Sequence, residues 1–205
     1  MSRRLLTLVL LAAAATPARA QRYGEPSTWL SAGIGLWQSQ GVYDPATNAA
    51  WNFGSATQYR GAIEFPVGNG VALGVTGTYA SVPLTYQGSL FTTDATMAMS
   101  QVLGTVHVGG GMGFHQVIDL SAGAVSFAGL KASDGTSLQP DKSIIDFTFA
   151  LGYGLGYGLS RSTELTLVQE YSTFVHARGS GNAGGNNTPR QWVTRFGVRY
   201  GVGGQ

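Results

Sequence analysis

Bulky apolar residues recur at every second position over most of this chain. Ile145, Phe147, Phe149, Leu151, Tyr153, Leu155 and Tyr157 share one parity, while Asp146, Thr148, Ala150, Gly152, Gly154 and Gly156 share the other. Successive side chains of a strand point to opposite faces, so this spacing predicts a β-strand with one bulky apolar face and one small or polar face. The same alternation marks residues 30–37, 58–65, 71–79, 118–124, 164–171 and 192–201. An eighth run, 96–108, is strand-like with two competing phases: Met97, Met99 and Leu103 against Val102, Val106 and Val108. The links between runs are alternately long (39–54, 82–95, 130–143, 177–190) and short (66–70, 109–116, 159–163). Eight antiparallel strands joined in that rhythm, each near the 9–11 residues a tilted membrane strand needs, predict an all-β, up-and-down transmembrane barrel. The bulky rows then face lipid and the small or polar rows face the lumen.

The first 20 residues do not share this pattern. Two arginines (Arg3, Arg4) precede an apolar run from Leu5 to Ala15, Pro17 breaks it, and Ala18-Arg19-Ala20 fits a small-x-small cleavage site. Eleven apolar residues are too few to span a bilayer, so residues 1–20 read as a cleaved export signal, followed by a short periplasmic segment (21–27) and the barrel domain (28–205). Cleavage removes three of the 12 Lys+Arg and none of the 10 Asp+Glu, so nine cations face 10 acids in the mature chain. The basic balance of the whole chain therefore belongs to the signal, and a nucleic-acid partner loses its electrostatic support. Charged residues make up only 11% of the sequence, glycines number 31, and there is no cysteine. That excludes a disulfide scaffold, a thiolate zinc site and a thiol nucleophile.

Aromatic residues stand near many run ends: Trp29, Trp37, Tyr59, Phe65, Tyr79, Tyr157, Tyr171 and Tyr200. Such placement fits the girdles at the two membrane interfaces. With eight alternating runs and alternating loop lengths, the chain resembles the small eight-stranded outer-membrane barrels of OmpA-like and OmpX-like type, over nearly all of its mature length. The resemblance implies a porin-like, monomeric barrel in the bacterial outer membrane. Its partners would be outer-membrane lipid and, during biogenesis, the barrel-assembly machinery, and it needs no cofactor. One departure stands out. Such barrels commonly finish on an aromatic residue, whereas here Tyr200 is followed by Gly201-Val202-Gly203-Gly204-Gln205.

Continuing the alternation puts Arg60, Glu64, Asp119, Asp146, Glu164, Glu170, Arg195 and Arg199 in the lumen. Folding the last hairpin brings Glu170 level with Arg195 and Glu164 nearer Arg199, with Arg60 reaching the Glu170 level across the barrel. An eight-stranded barrel is only wide enough for side chains to fill. Buried charges must be paired, so these residues predict a structural ion-pair network that plugs the lumen. A gated pore, in which the arginines exchange partners, is the sharper alternative.

Candidate chemistry is sparse. His107, His115 and His176 fall on a strand, a turn and a strand end, without metal-site spacing. Lipid A deacylases of this fold pair a His with a Ser two residues later. Here Gly109, Val117 and Arg178 occupy those positions, so no catalytic residue is assigned and the chain reads as a non-enzyme. Gly179-Ser180-Gly181-Asn182-Ala183-Gly184 matches a dinucleotide fingerprint but is followed by Gly185-Asn186-Asn187-Thr188-Pro189, which starts no helix. The remaining functional surface is the loops, where an extracellular ligand would meet Tyr43, Asp44, Trp51 and Phe53. The expected role is structural or surface-interacting. The alternatives are a soluble lipocalin-like barrel, which requires the opposite facing, and an outer-membrane lipid-modifying enzyme.

Overall fold

The structure, a computed structural model, describes residues 25–44, 49–87, 92–138, 144–175 and 190–203. They form ten strands: β1 (Thr28–Trp37), β2 (Gln40–Asp44), β3 (Ala49–Phe53), β4 (Ala56–Gly68), β5 (Val71–Gln87), β6 (Thr92–Val108), β7 (Gly113–Ala132), β8 (Ile144–Ser160), β9 (Thr163–Val175) and β10 (Arg190–Val202). β2 and β3 are a short hairpin. The other eight pair antiparallel in order, and β1 pairs with β10 from Thr28↔Val202 to Trp37↔Val193, closing the cylinder within one chain. The expected eight-stranded barrel is therefore present. The export signal and residues 21–24 lie outside the described residues. Ser27, at the end of the segment expected to precede the barrel, donates its N–H to the Val202 carbonyl at 3.1 Å.

The bulky rows face outward. Ile34, Leu36, Ile63, Val75, Phe149, Leu151, Leu155, Leu167 and Phe196 are all exposed on the outside of the cylinder. A belt of this kind would aggregate in water and is satisfied by lipid. A soluble ligand-binding barrel has its apolar rows inside, so that alternative has the wrong facing.

Several boundaries differ from expectation. The 39–54 link is largely strand among the described residues: 40–44 form β2 and 49–53 form β3, which docks on β5 through Ala50↔Gln87 to Phe53↔Leu84. The 82–95 link is mostly strand, because β5 runs to Gln87 and β6 starts at Thr92. The 109–116 turn shrinks to 109–112, and His115 sits on β7. Gly109, Gly110 and Gly111 have φ of 146, 130 and 123° there, a region that other residues avoid. Trp29 and Trp37 do not join the aromatic girdle. Trp37 is 3% exposed inside the barrel, and Trp29 lies over a lumen arginine. Both share the parity of Ser31, Gly33 and Gly35, and parity outweighs the aromatic preference for strand ends.

The ambiguous phase of 96–108 has a physical origin. In the lower part of β5, Leu73, Val75 and Tyr79 point out and Thr76 and Thr78 point in. Beyond Ala80 the chemistry inverts: Ser81, Pro83 and Gln87 point out, while Val82 and Leu84 point in. β6 inverts at the paired level. Val102, Gly104 and Val108 face out below, whereas Ser100, Thr96 and Asp94 face out above, with Met99 and Ala95 inside. The strands leave the apolar belt and continue as an ordinary water-facing sheet.

Candidate functional site: the filled lumen

The lumen is packed in layers, legible along β4 as Glu64, Arg60, Gln58 and Ala56 from the short-turn end upward. In barrels of this fold the short turns face the periplasm. Nearest that end, Arg199 on β10 sits between two carboxylates. Its Nη2 and Nε donate to Glu64 Oε2 at 2.6 and 3.0 Å, and its Nη1 donates to Glu164 Oε2 at 2.6 Å. Trp29 covers the guanidinium at 4.7 Å, an attractive cation–π arrangement. His115 approaches Glu164 Oε1 through Nε2 at 3.0 Å.

A second cluster lies above. Arg195 pairs through Nη2 with Asp119 and through Nε with Glu170 Oε2 at 3.3 Å. Arg60 Nη1 donates to Glu170 Oε2 at 3.3 Å, and its Nη2 donates to Thr76 Oγ1 at 3.2 Å. His107 Nδ1 stands 2.7 Å from Asp119 Oδ1. Every carboxylate in both clusters is buried, which is tolerable only because each has a cationic partner. Two glycines of β8 make the room. A Cβ on Gly152 would lie 3.2 Å from Arg195 Nη2, and one on Gly156 would lie 2.8 Å from Glu164 Oε1.

Neutral polar groups follow. Thr76, Thr105 and Ser121 form a hydroxyl chain with steps of 2.9 and 3.1 Å. Thr78 donates to Gln101 at 2.9 Å, and Ser172 donates to Gln191 at 3.2 Å. Beyond Thr78 and Gln101 the lumen turns largely apolar: Trp37, Val82, Met99, Val125, Phe174 and Val193 form one buried cluster, with Phe53 and Phe127 packed on it, while Gln191, two residues loopward of Val193, and Asp146, opposite Val125, keep buried polar groups at this level. A second apolar group, Leu84, Ala95 and Leu130, continues up the β5–β7 wall beneath Trp51 and Tyr86.

Of the eight residues placed in the lumen by parity, the structure brings seven into these two clusters. Glu170 meets Arg195, Glu164 meets Arg199, and Arg60 reaches Glu170 across the barrel. Asp146 is also buried but lies apart from them, opposite Val125 near the top of β8. Sequence reasoning missed His107 and His115 as members, although both share the inward parity of their strands. It also missed the apolar layer. Of the four loop candidates, Trp51 packs edge-on against Tyr86 at 4.7 Å and Phe53 stacks with Trp37 at 6.2 Å. Tyr43 and Asp44 lie on β2 opposite Ala50 and Ala49. His176 and the glycine-rich 179–184 segment lie outside the described residues. Among the described residues no group of three or more His, Asp or Glu side chains is arranged to hold a metal ion.

A closed cylinder of eight tilted strands, apolar outside and filled inside, defines a small transmembrane β-barrel. Known structures agree. The chain is similar to Neisserial surface protein A (NspA), with a TM-score of 0.55 at 12% identity, covering 86% of this chain and 97% of that one. It is similar too to the outer membrane protein OprG from Pseudomonas aeruginosa, with a TM-score of 0.54 at 11% identity, covering 87% and 98%. The fold is that of the small eight-stranded barrels of the bacterial outer membrane. No protein-family model matches the chain, and no curated protein matches it in sequence.

Proposed function

We propose that this protein is a non-conducting outer-membrane barrel that serves as a membrane-anchored platform for surface contact rather than as a channel or an enzyme. The observation that carries this reading is the stacking in the lumen: two paired charge clusters, a hydroxyl and amide layer, and an apolar layer fill the bore in series. Ions entering from one side would have to break buried pairs, and from the other would have to cross an apolar seal. The extension of β2, β3, β5, β6 and β7 beyond the apolar belt supports the platform role. It raises a water-facing sheet with Thr85 and Asp94 (joined at 2.7 Å) on its outer surface. An extracellular ligand would bind on this raised rim, where the 39–54 hairpin projects.

Planar-bilayer recording tests the reading. The wild-type barrel is expected to show no steady open level. A persistent conducting state of the wild type, removed by denaturation, would overturn it.

A further inference from the structure

Two nitrogens of the charge clusters are buried without a hydrogen-bond partner: His107 Nε2 and Arg195 Nε. Arg195 Nε stands 3.3 Å from Glu170 Oε2, close enough for charge attraction, but forms no hydrogen bond with it. His107 gives its Nδ1 to Asp119 at 2.7 Å, which leaves the other ring nitrogen over. A buried polar atom left unsatisfied carries its full desolvation cost with nothing to offset it.

Both residues line one small cavity, which lies between the clusters. Arg60 and Asp119 of the upper cluster are on its wall, and so are Glu64 and Arg199 of the lower one. Part of the wall is bare backbone. Gly33 on β1 and Gly197 on β10 face each other across the seam, and Gly197 shares the inward parity of Arg195 and Arg199. A Cβ on Gly197 would come 2.9 Å from Thr166 Oγ1, which also lines the cavity. The space in which the centre of a water-sized sphere can sit is about 20 Å³. That exceeds the roughly 10–15 Å³ one water needs, and it is far too small for a sugar, a nucleotide or a lipid headgroup.

The lining also selects the charge of an occupant. Arg60, Arg195 and Arg199 repel a cation, and Glu64 and Asp119 repel an anion. A neutral molecule that both donates and accepts suits both unsatisfied atoms. Arg195 Nε can only donate, whereas His107 Nε2 accepts in one tautomer and donates in the other. Water answers either form of the ring, so the assignment does not depend on where the histidine hydrogen sits. We infer that this cavity is a buried hydration site: an ordered water bonded to His107 Nε2 and Arg195 Nε ties the Asp119 cluster to the Glu64–Arg199 pair beneath it. The inference goes beyond the platform role, because it concerns the interior and holds or fails whatever the rim binds.

Water-edited solid-state NMR of the full-length barrel in lipid bilayers is the first test. At short mixing times magnetisation should pass from water to the His107 ring and not to the Met99 methyl, which lies in the apolar cluster. A crystal structure should show a density peak within hydrogen-bond distance of His107 Nε2 and Arg195 Nε, with no anomalous signal there after soaks in rubidium or bromide. Gly197→Ala, which puts a methyl into the site, should remove the peak and cut transfer to His107 at least threefold. Gly77→Ala, whose methyl meets nothing within 4 Å, should change neither. The wild-type measurements decide the matter even if Gly197→Ala does not assemble. Rubidium or bromide at the peak would make this an ion site and overturn the inference. So would a cavity without density, or transfer that reaches Met99 as readily as His107, which would mean a solvent-filled bore in place of a discrete site.

Discussion

The lower and upper parts of β5 and β6 are the same strands in two solvents. Below the level of Tyr79 and Val102, the outside is apolar and the inside carries charge and hydroxyls. Above it, the outside is Ser81, Thr96 and Asp94 and the inside is Val82, Leu84 and Met99. The lower part is inside-out relative to a soluble protein, and the upper part is not. Strand geometry is continuous through the change, so the backbone has no part in it. What changes is the medium against the outer face: the side chains that cannot remain in water go outward where there is lipid and inward where there is none. The sign of the alternation along one strand therefore marks where the membrane stops.

The largest expected break in this comparison comes from the lower lumen. Arg199→Ala strands Glu64 and Glu164 without their shared cation and should cost about 3–5 kcal/mol in urea unfolding from lipid vesicles. In the upper lumen, Met99→Ala leaves a cavity in an apolar layer and should cost about 2–5 kcal/mol with no change in pH dependence. The outer faces separate the two regions most cleanly. Val75→Arg, in the belt, should cost about 2–4 kcal/mol, while Ser81→Arg, six residues further along the same strand, should stay within about 0.5 kcal/mol. Equal costs for these two would remove the boundary from β5. On the raised rim, a double-mutant cycle on Trp51 and Tyr86 should return a coupling of about 0.5–1.5 kcal/mol.

The inversion also explains which parts of the molecule were legible from sequence. Strands wholly in the belt, such as β8 and β10, keep one parity from end to end, and their facing follows directly. Lumen pairs on neighbouring strands follow too: once the last hairpin is folded, Arg195 falls near Glu170 and Arg199 beside Glu164. β6 resisted because its outer row changes from Val102 and Val108 to Ser100, Thr96 and Asp94, and because Leu103 is buried in the lumen beside Thr76, so a single parity averaged over 96–108 returns neither. The 82–95 stretch read as a loop for the same reason, since its outer residues are the polar, turn-like set that water permits. His115 was assigned to a turn because Gly109–Gly113 and Gln116 crowd around it with no apolar row. Its role depends on a carboxylate 49 positions away in the chain, and no local pattern announces that. Trp37 shows the converse error: an aromatic at a strand end fits an interface girdle, but its parity sends it inward.

The seam between β1 and β10 carries a consequence for how the molecule comes into being. Thr28 finds its partner only in Val202, and the ten rungs of the seam join the first strand made to the last. During synthesis that edge of β1 has no mate until β10 has been made, and an unmated strand edge is a template for the wrong neighbour. Contacts of such long sequence separation form slowly. Closure of β1 on β10 is therefore a late step of folding, and the cylinder exists only once both strands are in hand.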